Sequence, residues 1–125
     1  MKFKYIAAAN NTTATVTRDD GSTVSTAGQP LEAVGKDIRI FKIIVGVPVA
    51  SANITVFNKD TAYATDTADI ACKYTFGSDI APADTTYNYD RLIDFGPKGL
   101  PVNGGNVMCD QACQLTVVYG DETDL

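Results

Sequence analysis

The sequence DIRIFKIIVGV, residues 37–47, is the strongest β-strand signal in this chain. Because successive side chains of a strand point to opposite faces, strict alternation places five residues on one face: Arg39, Phe41, Ile43, Val45 and Val47. From Phe41 onward the opposite face is largely apolar too. A strand that is apolar on both faces is either central in a sheet or lies against a partner chain. Phe41, Ile43, Val45 and Val47 are therefore candidate packing or interface residues.

Turn signals recur at short intervals on both sides of this strand. The clearest is Asp19-Asp20-Gly21-Ser22, because Asp-Gly between two alternating runs is a strong hairpin signal. Further breaks follow at residues 28–30, 96–99 and 103–105, each of which contains glycine. No long window shows the 3.6-residue apolar period of a helix. Short strands separated by frequent turns predict an all-β, antiparallel sandwich of eight to ten strands.

The expected strands follow from the alternating runs between these turns. Pro101 has no N–H to donate, so the short run around it suits an edge strand. The segments expected to be strands are residues 2–8, 13–18, 23–27, 37–47, 53–58, 70–76, 85–95, 100–102, 107–109 and 114–119.

Length and composition predict one soluble domain, residues 1–125, with a short acidic tail at 120–125. Hydrophobic residues make up 45% of the 125 residues and charged residues 20%, which is ordinary for a globular protein. A chain of this size can bury a core without a disulfide or a metal. The apolar run near the N-terminus stops at Asn10, too short for a secretory signal, and no run is long enough to span a membrane.

Charge is distributed unevenly, although the formal net charge is −5. Residues 1–59 hold seven Lys/Arg and four Asp/Glu, whereas residues 60–125 hold three Lys/Arg and eleven Asp/Glu. This pattern is either a solvated surface or a positive face that meets a negative face of a neighbouring copy. The basic stripe that is usual in nucleic-acid-binding proteins is missing, so we expect no nucleic-acid partner.

The side chains needed for common catalytic chemistry are scarce. The chain has no histidine, which excludes Ser-His-Asp and Cys-His sites. The carboxylates Asp66, Asp69, Asp90 and Asp94 remain, without a recognisable catalytic framework. Neither the acidic loop before Ile70 nor the acidic C-terminus matches a calcium-loop pattern. We therefore expect no enzymatic activity, no cofactor and no metal.

Cysteine usage also favours a chain kept in a reducing compartment. An odd count of three, Cys72, Cys109 and Cys113, argues for thiols that pack as small buried hydrophobic residues. Pairing of Cys109 with Cys113, four residues apart, stays an open alternative. Zinc is not expected, because a structural zinc site needs four ligands and histidine is absent.

A row of aromatic residues is a second candidate contact surface. Tyr87, Tyr89 and Arg91 would share one face of the strand expected at residues 85–95. Such rows usually fill a sheet face or a protein interface. They can also stack on sugars, so a phage tail, fibre or adhesin-like module that binds a host-surface glycan is the alternative function.

The C-terminal third resembles a known group of proteins. The segments DFGPKGLPVNGG, residues 94–105, and LTVVYG, residues 115–120, resemble small head decoration (cement) proteins of tailed phages, and the strand at residues 38–48 has the same style. The resemblance implies a jelly-roll sandwich that binds the major capsid protein, commonly as a trimer. It implies a place on the capsid surface of a virion assembled in the host cytoplasm. It assigns no functional residues.

Overall fold

The computed structural model describes residues 1–6, 10–18, 21–46, 51–63, 65–76 and 91–121. Within these residues the regular structure is all β-strand and no helix occurs. Every strand pairing is antiparallel. The strands are β1 (Lys2–Ile6), β2 (Ala14–Thr17), β3 (Thr23–Thr26), β4 (Gln29–Pro30), β5 (Asp37–Val45), β6 (Asn53–Phe57), β7 (Ile70–Thr75), β8 (Arg91–Asp94), β9 (Leu100–Asn103), β10 (Asn106–Cys109) and β11 (Leu115–Gly120).

The strands form two larger sheets and one hairpin. The five-stranded sheet has the order β1-β11-β5-β8, and β9 also pairs with β5. The four-stranded sheet has the order β4-β10-β6-β7, and β2 pairs with β3. The main hydrophobic core contains residues from both larger sheets, including Ile43 and Val117 from the first and Val56 and Val107 from the second.

The all-β, antiparallel prediction is confirmed, and so is the hairpin pairing of the strands predicted on either side of the Asp-Gly signal. Strand β2 pairs with β3, and the Arg18 N–H donates to the Ser22 carbonyl across the turn at 2.7 Å. Eleven strands are described, one more than the upper limit expected. The unexpected strand is β4, where the sequence predicted a break; its Pro30 pairs with Asn106 at the end of a sheet, where a missing N–H is tolerated.

Strand β5 is central, which is one of the two arrangements that the sequence left open. Strand β11 pairs with one of its edges, while β9 and β8 share the other. Strand β9 pairs with its first half, Asp37 to Ile40, and β8 with its second half, Lys42 to Val45. Strand β5 contributes Ile38, Ile40, Ile43 and Val45 to the core.

The prediction that Ile40 and Ile43 lie on opposite faces of this strand is wrong. Tyr119 of β11 lies opposite Ile40, and the residue before it in the chain, Val118, lies opposite Lys42. Phe41 is therefore an extra residue in β5. Such a β-bulge shifts the alternation by one residue. As a result the core contains four residues that strict alternation would divide between two faces: Ile38, Ile40, Ile43 and Val45.

The turn between β8 and β9 packs over this bulge. The Phe95 N–H donates to the Phe41 carbonyl at 3.0 Å, and Asp94 Oδ1 accepts from the Gly96 N–H at 2.8 Å. Gly99 has a φ of +70°, and a Cβ there would lie 3.0 Å from both the Ile40 carbonyl oxygen and the Phe41 ring. Only glycine fits this approach without displacing the bulged backbone.

We expect Gly99→Ala to destabilise the fold more than Gly96→Ala. Both glycines have positive φ, 70° and 82°, but a Cβ at Gly96 has no neighbour within 4 Å. Backbone strain alone should therefore cost about 1 kcal/mol in either variant, and the added contact at Gly99 should raise the total to roughly 2–3 kcal/mol. Urea unfolding followed by circular dichroism measures both values. Equal losses would show that the close approach at Gly99 contributes nothing.

Candidate functional site

The interface residues predicted on the central strand are buried within the chain itself. Ile43 and Val45 are 1% and 0% exposed and belong to the main core. Phe41 is also buried, at the bulge. Val47, Tyr87 and Tyr89 lie outside the described residues, as does the side chain of Arg91, whose backbone begins β8.

The acidic residues considered for catalysis serve local structure where they are described. Lys59 Nζ lies 3.1 Å from a carboxylate oxygen of Asp66 and 3.9 Å from one of Asp69. The backbone N–H of Tyr63 and the Lys59 ammonium together hold the pKa of Asp66 below its usual value. Asp90 lies outside the described residues. Within the described ranges, no group of three or more His, Cys, Asp or Glu side chains is placed to hold a metal ion.

A buried polar cluster joins the β2–β3 hairpin to the four-stranded sheet. Arg18 Nη2 lies 2.5 Å from Asp60 Oδ2, and both side chains are largely buried. Asn106, fully buried, donates through Nδ2 to the Asp60 carbonyl at 3.0 Å and to Thr26 Oγ1 at 3.2 Å. A buried ion pair with hydrogen-bonded neighbours fixes geometry more than it adds stability. This cluster therefore serves to position the hairpin.

The cysteine prediction is confirmed for two of the three thiols. Cys109 and Cys113 are fully buried in the main core, and no disulfide is formed. The Cys109 thiol donates to Asn10 Oδ1 at 3.2 Å. Cys72, in β7, is only partly buried. Burial raises the pKa of both Cys72 and Cys109, which makes the thiolate scarcer at neutral pH.

The feature best suited to contact another molecule is the face of the five-stranded sheet that points away from the core. We define this outer face by two rows of residues that are neighbours across the strands, as the registers of β1, β11, β5 and β8 show. The first row is Tyr5, Thr116, Ile44 and Leu92. The second row is Phe3, Val118, Lys42 and Asp94.

Large apolar side chains on this outer face are exposed. The exposed fractions are 68% for Phe3, 60% for Tyr5, 55% for Leu92 and 37% for Ile44. Val118 lies between Phe3 and Lys42 in the register and is buried. Several large apolar side chains exposed on one sheet face are typical of a place where another surface binds.

Strand β1 contributes the two most exposed apolar residues of the outer face. Its aromatic residues Phe3 and Tyr5 lie on the outer face, while Lys2 and Lys4 lie on the core side, opposite Tyr119 and Val117 of β11. The sequence shows the alternation of aromatic and basic residues. It does not show which set faces outward, because that depends on pairing with β11. The sequence alone therefore does not identify Phe3 and Tyr5 as contact residues.

Comparison of this chain with protein-family models, with curated proteins and with solved structures finds no match. Among the described residues, no helix has the length and apolar character needed to cross a membrane.

We expect Cys72 to react well before the two core thiols. In the native protein near pH 8, Ellman's reagent should modify one thiol quickly, because Cys109 and Cys113 must wait for an opening of the core. All three thiols should react at once in denaturant, and Cys72→Ser should remove the fast phase. Finding only one reactive thiol in denaturant without reductant would instead indicate a Cys109–Cys113 disulfide.

Proposed function

We propose that this chain is a virion structural protein, specifically a head decoration (cement) protein that binds the major capsid protein of a tailed phage and stabilises the shell. The observation that carries the proposal is the outer face of the five-stranded sheet, where large exposed apolar side chains come from β1, β5 and β8. A surface of this kind stabilises a complex when it is buried against another protein. The resemblance of residues 94–105 and 115–120 to decoration proteins directs the proposal to the phage head.

We propose further that the two larger sheets form a sandwich of jelly-roll type. Support comes from the main core, to which β5 and β11 contribute Ile40 and Leu115, and β6 and β10 contribute Ile54 and Val107. Residues of two sheets that pack in one cluster are what a two-layer architecture requires. A rigid domain of this kind suits a protein whose role is to add contact area between capsid subunits.

The chemistry of the described residues is consistent with a role in assembly. The acids Asp60, Asp66 and Asp69 are engaged by Arg18 or Lys59. The basic N-terminal half offers charges that can meet an acidic capsid surface. In this proposal the protein acts on the surface of the virion, and copies associate with one another as well as with the capsid. The resemblance implies trimers on the shell.

Sedimentation of the purified protein with expanded capsids tests the proposal. We expect the protein to pellet with shells until its sites are filled, at a constant ratio to capsid subunits, and to raise the temperature at which the shells release DNA. A parallel run without shells separates binding from self-association. If the protein stays in the supernatant and leaves the heat and chemical resistance of the shells unchanged, the decoration function is wrong. Binding to a glycan array, lost in Tyr87→Ala, would favour the tail-fibre alternative instead.

A further inference from the structure

We propose that a second copy of this chain covers the outer face of the five-stranded sheet, so that two copies pack face to face about a two-fold axis. The inference rests on the proposed function as a role in assembly: it assigns the outer face to contact between copies and leaves contact with the capsid to the basic N-terminal half. It concerns the protein alone and can be measured without capsids.

The exposed apolar area fits such a contact. Phe3, Tyr5, Ile44 and Leu92 are between 37% and 68% exposed. Together they leave roughly 400 Å² of side-chain area open to water, taking about 200 Å² for a whole aromatic side chain and somewhat less for an aliphatic one. A standard interface buries about 800 Å² per partner, and in homodimers about 65% of it is apolar, or about 500 Å². These four side chains supply most of that apolar part.

Charge complementarity favours a second copy over a partner of a single charge sign. Lys42 and Asp94 are direct neighbours across β5 and β8, so the outer face carries one base and one acid side by side. Among the described residues, Lys42 forms no ion pair within the chain, and Asp94 only accepts the turn hydrogen bond from Gly96. A two-fold axis that runs along the strands between Lys42 and Asp94 brings Lys42 of each copy towards Asp94 of the other, so each charge meets an opposite charge.

Net charge adds to this argument. The chain carries −5, so two copies repel each other through most of their surfaces. The two charged residues of the outer face cancel, which makes this face a place where copies can approach at low electrostatic cost. A strongly acidic or strongly basic partner would leave either Asp94 or Lys42 facing a like charge.

The edge of the sheet is a poorer place for two copies to meet. Strand β1 pairs only with β11 among the described strands, so its other edge is open. An antiparallel pair of two β1 strands would set Lys2 and Lys4 beside the same lysines of the second copy. Like charges directly opposite each other disfavour strand pairing. The aromatic residues Phe3 and Tyr5 would also stay exposed, whereas face-to-face packing buries them.

A contact in which both copies use the same face forms a pair and adds no third copy. Cyclic trimers need two different patches that meet head to tail, whereas an isologous contact uses the same patch twice. The inference therefore differs in stoichiometry from the trimer that the resemblance implies, and sedimentation distinguishes the two.

Sedimentation velocity over a wide range of protein concentration tests the inference. We expect the wild type to move from one copy to two as the concentration rises. The double variant Phe3→Ser, Leu92→Ser should associate about a hundredfold more weakly or not at all, because both side chains lose their burial in each copy. Both residues are already exposed in the single chain, so thermal unfolding monitored by circular dichroism should change little.

A matched control and a charge variant make the test specific. Val34 is 63% exposed and lies outside the outer face, so Val34→Ser should leave the association unchanged. Lys42→Glu sets two acids side by side on each copy and should weaken the association, more strongly at low salt than at high salt.

Three results would overturn the inference: a monomer at every concentration, a three-copy species, or an equal loss of association in Val34→Ser. The capsid experiment fails or succeeds independently of these results. A chain that stays monomeric yet binds capsids would overturn the two-copy contact and leave the decoration function standing. A stable pair that ignores capsids would do the reverse.

Discussion

The bulge at Phe41 is the constraint on which the rest of this structure depends. Strand β5 is the central strand of the five-stranded sheet, and a strand without a bulge would send Ile40 and Ile43 to opposite faces. One extra residue returns both to the core, where they pack with Val117 of β11. The turn at Phe95–Gly99 packs over the same point, which explains the tight approach at Gly99. The bulge and the glycine turn that packs on it thus together allow both halves of β5 to bury apolar side chains in the core.

The same shift creates the outer face. Once Ile43 and Val45 point into the core, Lys42 and Ile44 point away from it and come into line with residues of β8 and β1. After Phe41, the apolar side chains of β5 therefore lie on two sides of the strand. Ile43 and Val45 are buried in the core, and Ile44 is exposed on the outer face. An interface was expected from this pattern, and the structure places the exposed candidates on the opposite side of the strand and on β1.

Polar contacts hold the parts around this core in position. The Arg18–Asp60 pair and Asn106 connect the hairpin to the four-stranded sheet through buried groups. Lys59 and Asp66 tie a surface loop together. These contacts give Asp60 and Asp66 structural roles, whereas no contact within the described residues explains the exposed apolar side chains of the outer face. Function by assembly is the proposal that uses this feature.

The sequence by itself determined the all-β class, the β2–β3 hairpin and the burial of Cys109, because turn residues and alternating side chains act locally. It also showed that Phe3 and Tyr5 share one side of their strand and Lys2 and Lys4 the other. Only the tertiary structure decided which side faces water, because that depends on the register between β1 and β11, strands more than a hundred residues apart. The bulge likewise becomes visible only in pairing, since an extra residue in one strand has no meaning without the partner strand that lacks it.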